Sequence, residues 1–316
     1  MLFYRSPFSN PNLVDSIPQA PYNRLTFESV YEEGDFVKKL LSVIVCITVL
    51  SWSAAAATLL FSTGDPDGKI ATLSRPSGPG QIETETADDF LLKQMSRITQ
   101  ATFVGLLPAA LPLSSVNRVE IELYHVFPVD SANPPSGNVL TRVNSPSDVE
   151  FMAFDSAMGD LMFTTALLNA SFAVANTVVN GINKSPNQFT GGEGPATGEE
   201  VQFNIAFSTP FILPGSTDLF FRPEVGLTSG NFLWLSAPKP ITGGTGPFLP
   251  DLQTWARNAN LTPDWSRIGT DITHQGPFNA TFSLSGDPIP EPSAVLLFGG
   301  GLLALEICRR RQLFRR

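Results

Sequence analysis

Thiols and imidazoles are nearly missing from this chain. Its 316 residues contain two cysteines, Cys46 and Cys308, and two histidines, His125 and His274. Both cysteines lie in apolar runs near the two ends, so the stretch between them holds no disulfide, no thiolate metal site and no cysteine nucleophile. A body of this length buries enough apolar surface to do without disulfides. Zinc sets of His and Cys are excluded by count, and His125, inside an alternating run, reads as a strand filler. Positive charge is also scarce. Residues 58–292 carry eleven Lys and Arg against twenty-three Asp and Glu, a net of −12. A body this acidic repels phosphate backbones, which excludes nucleic acid as a partner. There is no G-x-S-x-G nucleophile elbow. Gly243-Gly244-Thr245-Gly246 lacks the Lys-Ser/Thr of a phosphate loop.

What is present is clearest at the ends. Lys38-Lys39 precede the apolar run Leu40–Leu50, and small residues follow at Ser53-Ala54-Ala55-Ala56-Ala57. A charged segment, a short apolar segment and an A-x-A site in that order predict a secretion signal over 37–57, read by the Sec translocon and cut after Ala56 or Ala57. The run is about half the ~20 residues that a spanning helix needs. Residues 1–36 are polar and aperiodic; they read either as a mis-called start, with translation beginning at Val37, or as an extended charged segment.

The other end, 288–316, reads Pro290-Glu291-Pro292, then an apolar stretch over 294–308, then Arg309-Arg310-Arg311. Two prolines around one residue stop any strand or helix, because each fixes φ and lacks a donor. The apolar stretch predicts a transmembrane helix, and the arginines hold its end in the cytoplasm. At ~15 residues it is short for a permanent anchor, which suits a temporary hold in the inner membrane. Glu306 interrupts the end of the stretch and is expected to snorkel or to pair with an arginine. These three features in order resemble the PEP-CTERM sorting signal of exopolysaccharide-producing bacteria. The resemblance implies that an exosortase recognises Pro290, Glu291 and Pro292. It also implies a mature protein at the cell surface or outside the cell, in the setting of exopolysaccharide and biofilm.

Between the ends the pattern is short strands and turns. Residues 101–107, 118–126, 199–207, 218–225, 231–236 and 279–286 are apolar or alternating, and turn-rich stretches such as Asn133–Gly137 and Gly191–Pro195 separate them. This predicts an all-β, jelly-roll-like β-sandwich over 58–287. One stretch, Asp160 to Val174, reads as a helix, against its Thr and Asn content. The opening of the body, Gly64 to Phe90, looks like that of many exported sandwich modules bearing this tail.

Two sets of residues invite a ligand. Asp65 and Asp67 share a tight turn, and with Asp88 and Asp89 they would supply calcium oxygens; the alternative is an ordinary Asp-Pro-Asp-Gly turn. Trp255 and Trp265 flank Arg257, Asn258 and Asp264; exposed they make a sugar-stacking platform, buried they pack a core. Glu120 and Glu122 share a strand face, read as solvated unless the fold brings a glycosidase pair together. The expectation is therefore a non-catalytic surface or matrix protein without a cofactor. A carbohydrate-binding module, calcium-assisted, is the alternative, and a secreted glycan hydrolase comes behind it.

Overall fold

The computed structural model describes residues 57–132, 134–180, 182, 189–238, 253–290, 299–302 and 305. Residues 1–36, the expected secretion signal up to Ala56, Glu291, Pro292, Arg309–Arg311 and most of the apolar stretch 294–308 lie outside them. Of that stretch, the described residues 299–302 and 305 are helical. No helix among the described residues is long and apolar enough to cross a membrane.

In chain order the strands are β1 (Thr58–Ser62), β2 (Ile70–Leu73), β3 (Thr84–Leu91), β4 (Ser96–Leu107), β5 (Val116–His125), β6 (Met152–Asp155), β7 (Leu161–Val174) and β8 (Asn176–Val178). They continue as β9 (Ala196–Leu213), β10 (Asp218–Leu227), β11 (Leu233–Ala237), β12 (Trp255–Asn258), β13 (Ser266–Arg267), β14 (Asn279–Ala280) and β15 (Phe282–Pro288). One sheet runs β1-β15-β4-β11-β2-β8, with β9 and then β7 added along β4 and β14 paired to β11; the other runs β13-β12-β3-β10-β5-β6. Only the β2–β8 pair is parallel among the described strands.

The core lies between the sheets because alternate residues of facing strands are apolar. Val201, Phe203, Ile205 and Phe207 of β9 point inward, as do Val119, Ile121 and Leu123 of β5. Phe282 of β15 stands at the centre. Its ring stacks on Phe221 of the opposite sheet at 4.8 Å, and it meets Phe61 at 5.0 Å and Trp234 at 5.9 Å. Gly105 in β4 makes room for Phe232, since a Cβ there would lie 1.9 Å from that ring. Phe232 then meets Phe103 edge-on at 5.7 Å.

All six expected strand runs are strands. The helix expected from Asp160 to Val174 is not a helix but strand β7, paired antiparallel with β9 from Leu161↔Phe207 to Val174↔Ala196. Tertiary pairing overrides local preference here: the strand bonds to an already long neighbour along one side, and most of its side chains stay in solvent. That exposure kept the period-2 signal weak.

Candidate functional site

The four aspartates do not converge. Asp88 and Asp89 are consecutive in β3, so their side chains leave opposite faces of the strand. Asp88 is fully buried and is engaged in the fold. One oxygen accepts from the Thr254 hydroxyl at 2.8 Å, the other from the Ala280 amide at 2.9 Å, which ties the second sheet to β14 of the first. Asp67 closes its own turn by accepting from the Lys69 amide at 3.0 Å and from the Ser236 hydroxyl. Asp65 is exposed. Among the described residues no three His, Cys, Asp or Glu side chains assemble as metal ligands. Asp65-Pro66-Asp67-Gly68 is thus a turn closed by Asp67's own bonds.

Trp255 and Trp265 are also placed differently from a sugar platform, because both are fully buried. They pack with Ala87, Tyr124 and Phe220 on the outer face of the second sheet. The Trp265 ring meets Tyr124 edge-on at 5.5 Å and donates its N–H to the Ser147 carbonyl at 3.1 Å. The long connection 126–151 thus folds back over this face, pinned also by Arg257 to the Asp148 carbonyl at 2.8 Å. Arg142 holds it a third time, pairing with buried Asp264 at 2.9 Å and with Asp148 at 2.9 Å. An indole under such a cover cannot present its face to a glycan.

Beneath that cover runs a band of charge that sequence reading missed. Glu85 of β3 receives Arg222 of β10 at 2.6 Å, the Arg257 Nη2 at 2.9 Å and the Tyr124 hydroxyl at 3.1 Å. Arg222 also lies 2.8 Å from Glu224 and 3.0 Å from Glu122. Glu120 pairs with Arg118 at 2.8 Å, and Arg118 with Asp155 at 2.7 Å. The register explains the band, since Arg222 faces Glu122, Glu224 faces Glu120 and Arg257 faces Glu85 across neighbouring strands. Glu120 and Glu122 are thus neither a free solvated face nor an isolated acid pair. The alternation Phe221-Arg222-Pro223-Glu224-Val225 was the available signal, but only pairing across strands shows which partner each charge meets.

The band splits its carboxylates. Burial would raise Glu85, yet the Arg222 and Arg257 guanidiniums outweigh it and hold the carboxyl at about 2. Burial dominates at Glu224 and pushes it well up, with Arg222 offsetting only part. Burial likewise raises Glu122 and Tyr124. Two surface cavities carry no carboxylate at all: one of about 200 Å³ beside Arg75 and Arg118, one of about 260 Å³ beside Leu59 and Pro288.

The last feature is the end of the sandwich from which the chain leaves. Strand β15 ends at Pro288, paired there with Ser96, and the Ile289 amide donates to the Met95 carbonyl at 2.8 Å. Pro290 follows at once and is exposed. Residues 288–312 match the family model of the PEP-CTERM protein-sorting motif. The chain carries a PEP-CTERM sorting signal. No curated protein and no solved structure matches the chain. As a PEP-CTERM protein it is an exported, surface-sorted exosortase substrate. Its motif begins on the last residue of the last strand, so the PEP-CTERM signal adjoins the folded body without a spacer.

Proposed function

We propose that this PEP-CTERM protein is a non-catalytic component of the cell surface or extracellular matrix, associated with exopolysaccharide and biofilm. It is exported by the Sec translocon and held in the inner membrane by its tail. An exosortase then processes it at Pro290-Glu291-Pro292. One observation supports the reading: the described strands all lie between the two expected addresses. Strand β1 begins at Thr58, directly after Ala56-Ala57, and pairs with β15, which ends at Pro288, directly before the motif. A cut on either side therefore removes an address and leaves every described strand in place. The non-catalytic part rests on the carboxylates, since Glu85, Glu120 and Glu122 are each engaged by an arginine. The carbohydrate-binding alternative loses its two tryptophans to the core, and no other observation favours it.

The test is the mass of the mature protein from its native host, read beside a membrane-fraction blot. The reading expects cuts near Ala57 and near Pro292 in protein that has left the membrane. Protein retained in the inner membrane with residues 293–316 intact would reduce the tail to an ordinary anchor.

A further inference from the structure

Both addresses leave the sandwich at one end. In the pairing of β1 with β15, Thr58 lies opposite Gly286 and Leu59 opposite Ser285, so the first residues of the body sit beside its last. The same end carries an uncommon surface for this acidic body. Leu59 is 54% exposed, Met95 49% and Ile212 53%. Ile212 faces Arg97, and Arg97 faces Asp287, across the first sheet. Lys93 and Arg97 are exposed there as well. Leu59, Leu92, Lys93, Gln94 and Pro288 line the cavity of about 260 Å³ at this end.

Chain length then limits where this end can be. Ile289 is fastened to Met95, and the apolar stretch starts at Ala294. A chain spans at most ~3.5 Å per residue, so the five residues after Ile289 reach less than about 20 Å. The headgroup layer takes up ~5–7 Å of that on each side of the hydrocarbon. A body on so short a tether has its Leu59–Met95–Ile212 end against the membrane surface, or within one layer of water from it.

We propose that this end of the sandwich is a membrane-resting face: Leu59, Met95 and Ile212 settle among the lipid headgroups, and Lys93 and Arg97 pair with acidic phospholipids. The inference rests on the tail being held in the membrane, as proposed above. Basic side chains near an anionic surface add attraction of ~1 kcal/mol each, and exposed aliphatic tips add burial. Asp287 and Asp218, which lie at this end, oppose the attraction, so the contact is weak by itself and lasts only while the tether holds. Cleavage at the motif removes the tether, and the face lets go.

The experiment uses the full chain with Cys46 and Cys308 replaced by serine, since these are its only thiols. Single substitutions Leu59→Cys and Met95→Cys report on the face. Leu168→Cys is the control; it is 50% exposed and lies at the other end of the sheet, next to Leu167, which pairs with Val201. The protein is reconstituted into vesicles of phosphatidylethanolamine and phosphatidylglycerol and labelled with a membrane-impermeant maleimide. Relative to the released mature form, positions 59 and 95 are expected to label about tenfold more slowly in vesicles, as for a face docked nine-tenths of the time, with position 168 unchanged. Equal labelling at all three positions in protein that floats with the vesicles would overturn the membrane-resting face alone. Protection seen in host membranes but not in vesicles would assign the cover to a protein, and would also overturn it. Protein that fails to float with vesicles would sink the tethered reading, and this inference with it.

Discussion

Glu85 and Glu224 are buried carboxylates in one charge band, and their protons respond oppositely. Glu85 sits at about 2 when folded, against 4.5 when free. A lowered folded value stabilises above the free value and is lost as pH falls from about 4.5 towards 2; at ~1.4 kcal/mol per unit this amounts to about 3 kcal/mol. Acid unfolding of the protein should therefore steepen below about pH 4.5, and the slope should flatten in Glu85→Gln, measured by urea midpoints across that range. At neutral pH, Glu85→Ala leaves Arg222 and Arg257 without their shared partner and should cost about 3–5 kcal/mol. Glu224 is raised, so the sign reverses: its contribution is best below the free value and declines as pH rises towards the folded one. Glu224→Gln, which keeps the protonated shape, should be at least as stable as the natural protein at about pH 8 and should lack the decline. A variant less stable at both pH 5 and pH 8 would mean that ion pairing with Arg222 outweighs burial.

At the scale of elements, β15 decides whether the sandwich closes. It lies between β1 and β4, and its Phe282 touches both sheets. Phe282→Ala should cost about 3–5 kcal/mol in chemical unfolding, the range for an aromatic removed from a packed core. Gly286 marks a register shift in β15, where a Cβ would lie 1.9 Å from the Arg97 carbonyl oxygen. Gly286→Ala should accordingly loosen β15 and β1 together, seen as faster amide exchange at 58–62 and 282–288 with β5 and β10 little changed. Exchange that rises evenly over both sheets would contradict this local role. These elements also show what a sequence pattern carries. Strands β5 and β9, with one face on the core, announced themselves by alternation. Strand β7 did not, because it pairs with β9 along one side only and most of its side chains face water. Its strand character comes from a partner some thirty residues away, which no local window contains.

In the folded body the first strand begins beside the end of the last, Thr58 opposite Gly286. Since β15 is the last strand made, the aromatic cluster of Phe61, Phe90, Phe221 and Trp234 cannot be completed until residues up to Pro288 are through the membrane. A chain truncated before Phe282 should accordingly be degraded or aggregate, whereas one ending at Pro290 should give the same unfolding midpoint as the released mature protein. A truncated chain that folds cooperatively would remove β15 from this role.

The sequence by itself determined the address of this protein and the class of its fold. A Pro-Glu-Pro step, an apolar run and an arginine cluster are contiguous, and short-range chemistry is enough to read them. The alternation of inward and outward residues is likewise local. Tertiary structure alone decided the fate of the candidate sites. Whether Trp255 and Trp265 meet sugar or protein depends on the connection 126–151 folding over them, and whether Asp88 binds a metal depends on Thr254 and Ala280 arriving first. Burial and pairing are set by residues distant in the chain, and so is the split between Glu85 and Glu224, which desolvation and two arginines from other strands impose.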